Sequence, residues 1–185
     1  MRCATAILAA CSTMSQTAGT PVTVNRGAVI LQDFARRVGD YVKVHKTVQS
    51  QVHRLKPTKS PDAIEQYEHG LARGIRAARR GSRQGDTFTA EITAEFRRLI
   101  ELTMHGPQAG AIRESLRHAE PLASRALRVN SAYPAATPLQ SSPPSLLMNL
   151  PPLPAELEYR VVGHSLILRD IEANLIVDFI VNAIT

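Results

Sequence analysis

Between residues 31 and 55 apolar and half-polar side chains recur at alternating steps of three and four: Leu31, Phe34, Val38, Tyr41, His45, Val48, Val52 and Leu55. This is a heptad seam, and it demands one helix of roughly 25 residues whose narrow stripe is covered by a partner helix. The pattern ends near Pro57. Ser60, Pro61 and Asp62 then supply a capping hydroxyl, a proline at the first helical position and an acid at the positive end of the helix dipole. They predict a second helix over residues 61–80 with Ile64, Leu71, Ile75 and Ala78 inward, and the short connection makes the pair an antiparallel hairpin. Gly70 and Gly74 each cost that helix on the order of 1 kcal/mol against alanine, and they permit close packing on the first helix.

The breaker run Gly81, Ser82, Gln84 and Gly85 separates the hairpin from a third helix, capped by Thr89 and striped by Ile92, Phe96, Leu99 and Ile100 up to Gly106 and Pro107. Ile112 and Leu116 mark a shorter fourth helix that stops before Pro121. Seven of the twelve prolines then fall between Pro134 and Pro154, so the chain is extended and irregular there. Leu139, Leu146, Leu147, Met148, Leu150 and Leu153 in the same stretch are too many apolar side chains for a solvated spacer, so it is expected to lie across the helices as a strap. Beyond it the periodicity changes. Residues 157–162, 165–169 and 175–180, joined at Gly163–His164 and around residues 172–174, read as a three-stranded antiparallel meander. Three strands alone are barely stable, so the meander has to pack on the helices or the strap, or pair with another chain. The expected fold is therefore α+β, mainly α: a long antiparallel helical hairpin, two shorter helices, a Pro-rich strap and a small C-terminal three-stranded antiparallel β-meander. The expected organisation is an export signal and tether over 1–25, a helical body over 26–130, the strap over 131–155, and the meander over 156–185 packed on the body.

A chain of 185 residues with 44% apolar content and a formal charge of +6 is the size of one domain with appendages, not a large multidomain enzyme. The charge is unevenly placed: 19 Lys and Arg against 11 acids over residues 26–128, none over 129–155, and two Arg against five acids over 156–185. Both cysteines, Cys3 and Cys11, lie in the first eleven residues. The folded body therefore has no disulfide framework and no thiol chemistry. Arg2, an apolar stretch from Cys3 to Ala10, and Leu8-Ala9-Ala10-Cys11 followed by Ser12 are similar to a bacterial lipoprotein signal, cut before the cysteine that then takes a lipid on its thiol. Residues 12–25, rich in Ser, Thr, Gly and Gln, read as a tether. The stretches FARRVGDYVKVHK, GDTFTAEITAEFRRLI and LPPLPAELEYRVVGHSLILRDIEANLIVDFI resemble those of exported bacterial proteins without an assigned activity, over most of the chain after Asp33. The resemblance implies an exported protein and carries over no catalytic or ligand residue.

Three features could carry chemistry. Glu65 with His69, Glu101 with His105, and Glu114 with His118 each put a carboxylate and an imidazole on one helical face. A metal needs a third converging ligand, which no HExxH motif or Cys/His cluster supplies, so these six are weak metal candidates and otherwise surface pairs. His45, at a seam position with His53 eight residues on, can fix register or titrate and loosen the hairpin. Arg73, Arg76, Arg79, Arg80 and Arg83, five guanidinium groups within eleven residues, are anion-binding candidates suited to bidentate contacts, with a solvated helix end as the plainer reading. They lack the aromatic interleaving of single-strand nucleic-acid binders, and no nucleic acid is expected as a partner. No GxSxG, phosphate-cradling glycine loop or dinucleotide fingerprint occurs, so no catalytic residue and no cofactor is assigned.

The expectation is an exported, envelope-associated binding or scaffolding protein in the periplasm or at the outer membrane. It would be anchored by a lipid if Cys11 is modified, and would meet an anionic envelope component or an acidic protein. The alternatives are a periplasmic hydrolase or metal-binding protein, which requires the Glu-His pairs and Asp40 to converge in one pocket, and a cytosolic basic helical partner-binding protein.

Overall fold

The structure is a computed structural model that describes residues 25–52, 60–117, 127–133 and 144–184. Cys11, His53, Leu55 and His118 lie outside the described residues, as do residues 134–143 of the strap. The heptad seam forms α1, Arg26–Gln51, which buries Phe34, Val38, Tyr41, Val42, His45 and Val48. Asn25 caps it by accepting the Ala28 amide. Helix α2, Pro61–Ala78, starts at the Ser60 cap with proline in its first turn. It runs antiparallel to α1: a Cβ on Gly74 would collide with Val48 Cγ1, and one on Gly70 would meet Val52 Cγ1. Each glycine thus lets a seam valine sit against the backbone of α2.

Of the inward face expected on α2, Leu71 and Ile75 are buried, whereas Ile64 is 45% exposed and Ala78 is exposed. The reason is register. With Val52 opposite Gly70, Ile64 lies past the level at which α1 ends. At the other end the i, i+4 row Leu71, Ile75, Arg79 continues inward, so an arginine takes the place expected for Ala78.

Helix α3, Ala90–Met104, is capped by the Thr89 hydroxyl, which accepts the Ile92 amide. Helix α4 is Ala109–Arg117. Phe34, Phe88 and Phe96 pack ring against ring, with centroids 4.8–5.6 Å apart, and Tyr159 from the sheet closes on Phe96 at 6.0 Å. Within the strap, α5, Pro144–Leu147, buries Leu146, and Asn149 donates to the Thr103 hydroxyl of α3 at 2.8 Å. Residues 144–149 of the strap thus lie on α3.

Strands β1 Leu157–Val162, β2 Ser165–Asp170 and β3 Leu175–Ile180 form an antiparallel sheet in the order β1-β2-β3. Gly163, at φ +57, provides the left-handed residue in the turn between β1 and β2. The fold is α+β and mainly α, and helices and strands share one hydrophobic core. The sheet is also covered on its other face. Asn130, Ser131 and Tyr133 bond to the outer edge of β3, and Tyr133 packs on Ile167, Ile176 and Phe179. The start of the uncharged stretch is therefore a piece of the sheet rather than a strap over the helices. An irregularity opposite Leu168 and Arg169 makes Val177 an extra residue in β3, so Val177 and Asp178 both face the helices. This turns the Asp178 carboxylate onto the loop between α2 and α3.

Candidate functional site: an arginine ridge backed by buried carboxylates

Arg73, Arg76, Arg80 and Arg83 are exposed along the C-terminal half of α2 and the loop after it. Among the described residues none of the four forms an ion pair. The sequence holds no acid between Glu68 and Asp86, and the Asp86 carboxylate accepts the Arg83 amide at 2.9 Å. Exposed Arg128 joins from a second segment. Asn130 fixes that segment beside α2: its carbonyl accepts from Arg76 Nε at 2.9 Å, and its side-chain amide donates to the Arg79 carbonyl at 2.9 Å. Arg79 does not belong to this surface. Its guanidinium donates to Asn130 Oδ1 and to the Val177 carbonyl and lies 4.9 Å over the Tyr41 ring. Burial lowers its pKa from the ordinary arginine value. The result is a ridge of unneutralised guanidinium groups on a fixed backbone, the donor geometry that planar oxyanions accept bidentately.

Two buried carboxylates hold that backbone in place. Asp178, fully buried, accepts the amides of Gly85, Thr87 and Phe88 at 2.8–3.2 Å and so pins the loop that carries Arg83. Asp170, equally buried, accepts the Tyr41 hydroxyl and His45 Nδ1, both at 2.6 Å, and the Ala173 amide at 2.8 Å. It ties α1 to the turn between β2 and β3. Burial, and then the charge and hydrogen bond of Asp170, push the Tyr41 hydroxyl far above the ordinary tyrosine range. His45 is fully buried, with Nε2 3.6 Å from Glu172 Oε2 and no hydrogen-bond partner at that nitrogen. Burial alone would hold its ring neutral, but the Asp170 hydrogen bond and the charges of Asp170, Glu172 and Glu156 outweigh it and raise the imidazole pKa. An Asp-His pair with no exposed surface offers a substrate no access, so its chemistry is internal.

Among the described residues the members of the Glu-His pairs do not gather. Glu65 and His69 are exposed on α2, 4.0 Å apart. His105, at the end of α3, turns Nδ1 to the Glu101 backbone carbonyl at 2.9 Å, and Glu114 lies on α4. Asp40 pairs with Arg36 and Lys43 on the surface of α1. Among the described residues no group of three or more His, Cys, Asp and Glu is placed to hold a metal, and no helix is long and apolar enough to cross a membrane. An open groove of about 470 Å³ between the first turns of α1 and α3 is lined by Arg26, Gly27, Glu91, Glu95 and Arg98. Its charges face each other, Arg98 against Glu95 at 2.6 Å and Arg26 against Glu91 at 3.7 Å.

The sequence reading missed Asp170, Asp178 and the inward Arg79. The signal for Asp178 is its place inside the otherwise apolar run Leu175 to Ile180. For Asp170 it is the parity shared with inward Leu166 and Leu168. Compared with known proteins, the chain matches no family model, no curated protein and no solved structure.

Proposed function

We propose that this is an exported, envelope-associated binding or scaffolding protein that meets an anionic envelope component through the ridge of Arg73, Arg76, Arg80, Arg83 and Arg128. The observation that carries the reading is the unneutralised charge of that ridge on a backbone held by Asn130 and Asp178. The lipoprotein-like stretch ending at Cys11 supports the compartment, and a lipid there would hold the ridge beside a membrane surface.

The test is co-sedimentation with vesicles of neutral lipid, alone or mixed with anionic lipid, at salt from about 0.05 M to about 0.5 M, where the Debye length falls from over 10 Å to under 5 Å. Binding should require the anionic lipid, fall steeply with salt, and weaken in the Arg80→Ala, Arg83→Ala double variant. Salt-insensitive binding, or equal binding by the double variant, contradicts the ridge. Retention on an acidic polypeptide with none on vesicles would move the partner to an acidic protein.

A further inference from the structure

We propose that His45 is a proton-operated latch: with its ring protonated and held between Asp170 and Glu172 it locks α1 to the turn between β2 and β3, and loss of that proton releases the turn. The inference is independent of the arginine ridge and stands on the placement of the two ring nitrogens. Nδ1 faces Asp170 Oδ2 at 2.6 Å, and because a carboxylate only accepts, that nitrogen carries a hydrogen in either protonation state. In the neutral ring Nε2 is then a bare lone pair, fully buried and aimed at a second carboxylate 3.6 Å away. That arrangement is repulsive and leaves a buried polar atom unpaired. In the imidazolium both nitrogens carry hydrogens: Nδ1 donates to Asp170, and the charged ring faces Glu172 across an ion-pair distance of 3.6 Å.

The turn gripped in this way is held from three elements. Gln49 of α1 donates to Glu172 Oε2 at 2.7 Å, and the Tyr67 hydroxyl of α2 donates to the same oxygen at 3.3 Å. Asp170, at the end of β2, accepts the Ala173 amide within the turn. The other groups around the ring are Tyr41, bonded to Asp170, Arg79 over the Tyr41 ring, and Glu156 before β1, paired with Lys46 at 3.2 Å. Deprotonating His45 leaves Asp170 and Glu172 in excess. Glu172, with its side chain 45% exposed, is the member free to turn outward and carry the loop with it.

The sign follows from linkage. The folded pKa of His45 is raised, so its stabilisation is fully present below the unfolded value of about 6.5 and is lost as pH rises through the folded value. The test uses the full chain over about pH 5.5 to 9, short of tyrosine ionisation, following the His45 ring by NMR and the hydrogen-exchange protection of the Ala173 amide. The ring midpoint should lie above that of free histidine, and protection at Ala173 should fall about tenfold for each pH unit between the two values. Glu172→Gln, at a partly exposed site, should lower the ring midpoint by about one unit. His45→Gln, if folded, should remove the pH dependence of Ala173. A His45 midpoint at or below about 6.5, or one that Glu172→Gln leaves in place, overturns the latch.

Discussion

Replacing Asp178 with alanine tests how far one buried carboxylate organises the molecule. Oδ2 accepts the Thr87 and Phe88 amides, both at 2.8 Å, and Gly85 N lies 3.2 Å from each oxygen. Thr87 and Phe88 are only 5% and 3% exposed, so their amides have little access to water once the acceptor is gone. Each orphaned buried amide costs about 1–3 kcal/mol, and two give a loss of roughly 3 kcal/mol after partial relief by water entering the vacated space. Asp178→Asn keeps one acceptor oxygen. It should cost about 1–2 kcal/mol, because its amide group then faces amides where an oxygen stood. Urea unfolding followed by circular dichroism measures the loss, and hydrogen exchange locates it. Thr87 and Phe88 should lose protection before the strands do, and the loop bearing Arg83 should loosen with them. An alanine variant within about 0.5 kcal/mol of the parent, with Thr87 and Phe88 still protected, would refute the role given to this carboxylate.

Val48→Asp places a charge at a seam position 6% exposed and should cost about 3–5 kcal/mol; a melting temperature within a degree or two of the parent would show that seam to be open. Two glycine substitutions should differ in sign. Gly39→Ala meets nothing within 4 Å and should stabilise α1 by about 0.5–1 kcal/mol, whereas Gly74→Ala drives a methyl into Val48 Cγ1 and should lose about 1–3 kcal/mol, both read from unfolding midpoints. Cys11→Ser should abolish incorporation of labelled lipid and release the protein from the membrane fraction. Unchanged fractionation would rule out a lipid anchor at that thiol.

Local periodicity made most of the fold legible. The step of three and four from Phe34 to Val48, the Ser60-Pro61 start, the Thr89 cap and the turns of the meander each state their structure within a few residues. The pairing of Asn130 to Tyr133 with β3 is hidden because it joins segments about 45 residues apart, and four residues, Asn-Ser-Ala-Tyr, are too few to show a strand pattern of their own. In the sequence Arg79 is one of five like arginines, and nothing local separates it from Arg80. Only the row through Leu71 and Ile75 turns it inward, onto a tyrosine ring from α1. Asp170 and Asp178 break the usual exclusion of acids from a core. Besides the neighbouring Ala173 and Phe179 amides, the donors that make their burial affordable come from α1 and from the loop after α2, each more than 85 residues away.

The central claim is that an arginine-ridged, cysteine-free body works outside the cytosol, held at the envelope through Cys11. Intact mass of the natively produced protein, taken together with cell fractionation, tests it most directly. The expected result is a chain that begins at Cys11, carries the added mass of lipid and sediments with membranes. A soluble cytosolic chain that retains residues 1–10 without modification would contradict it.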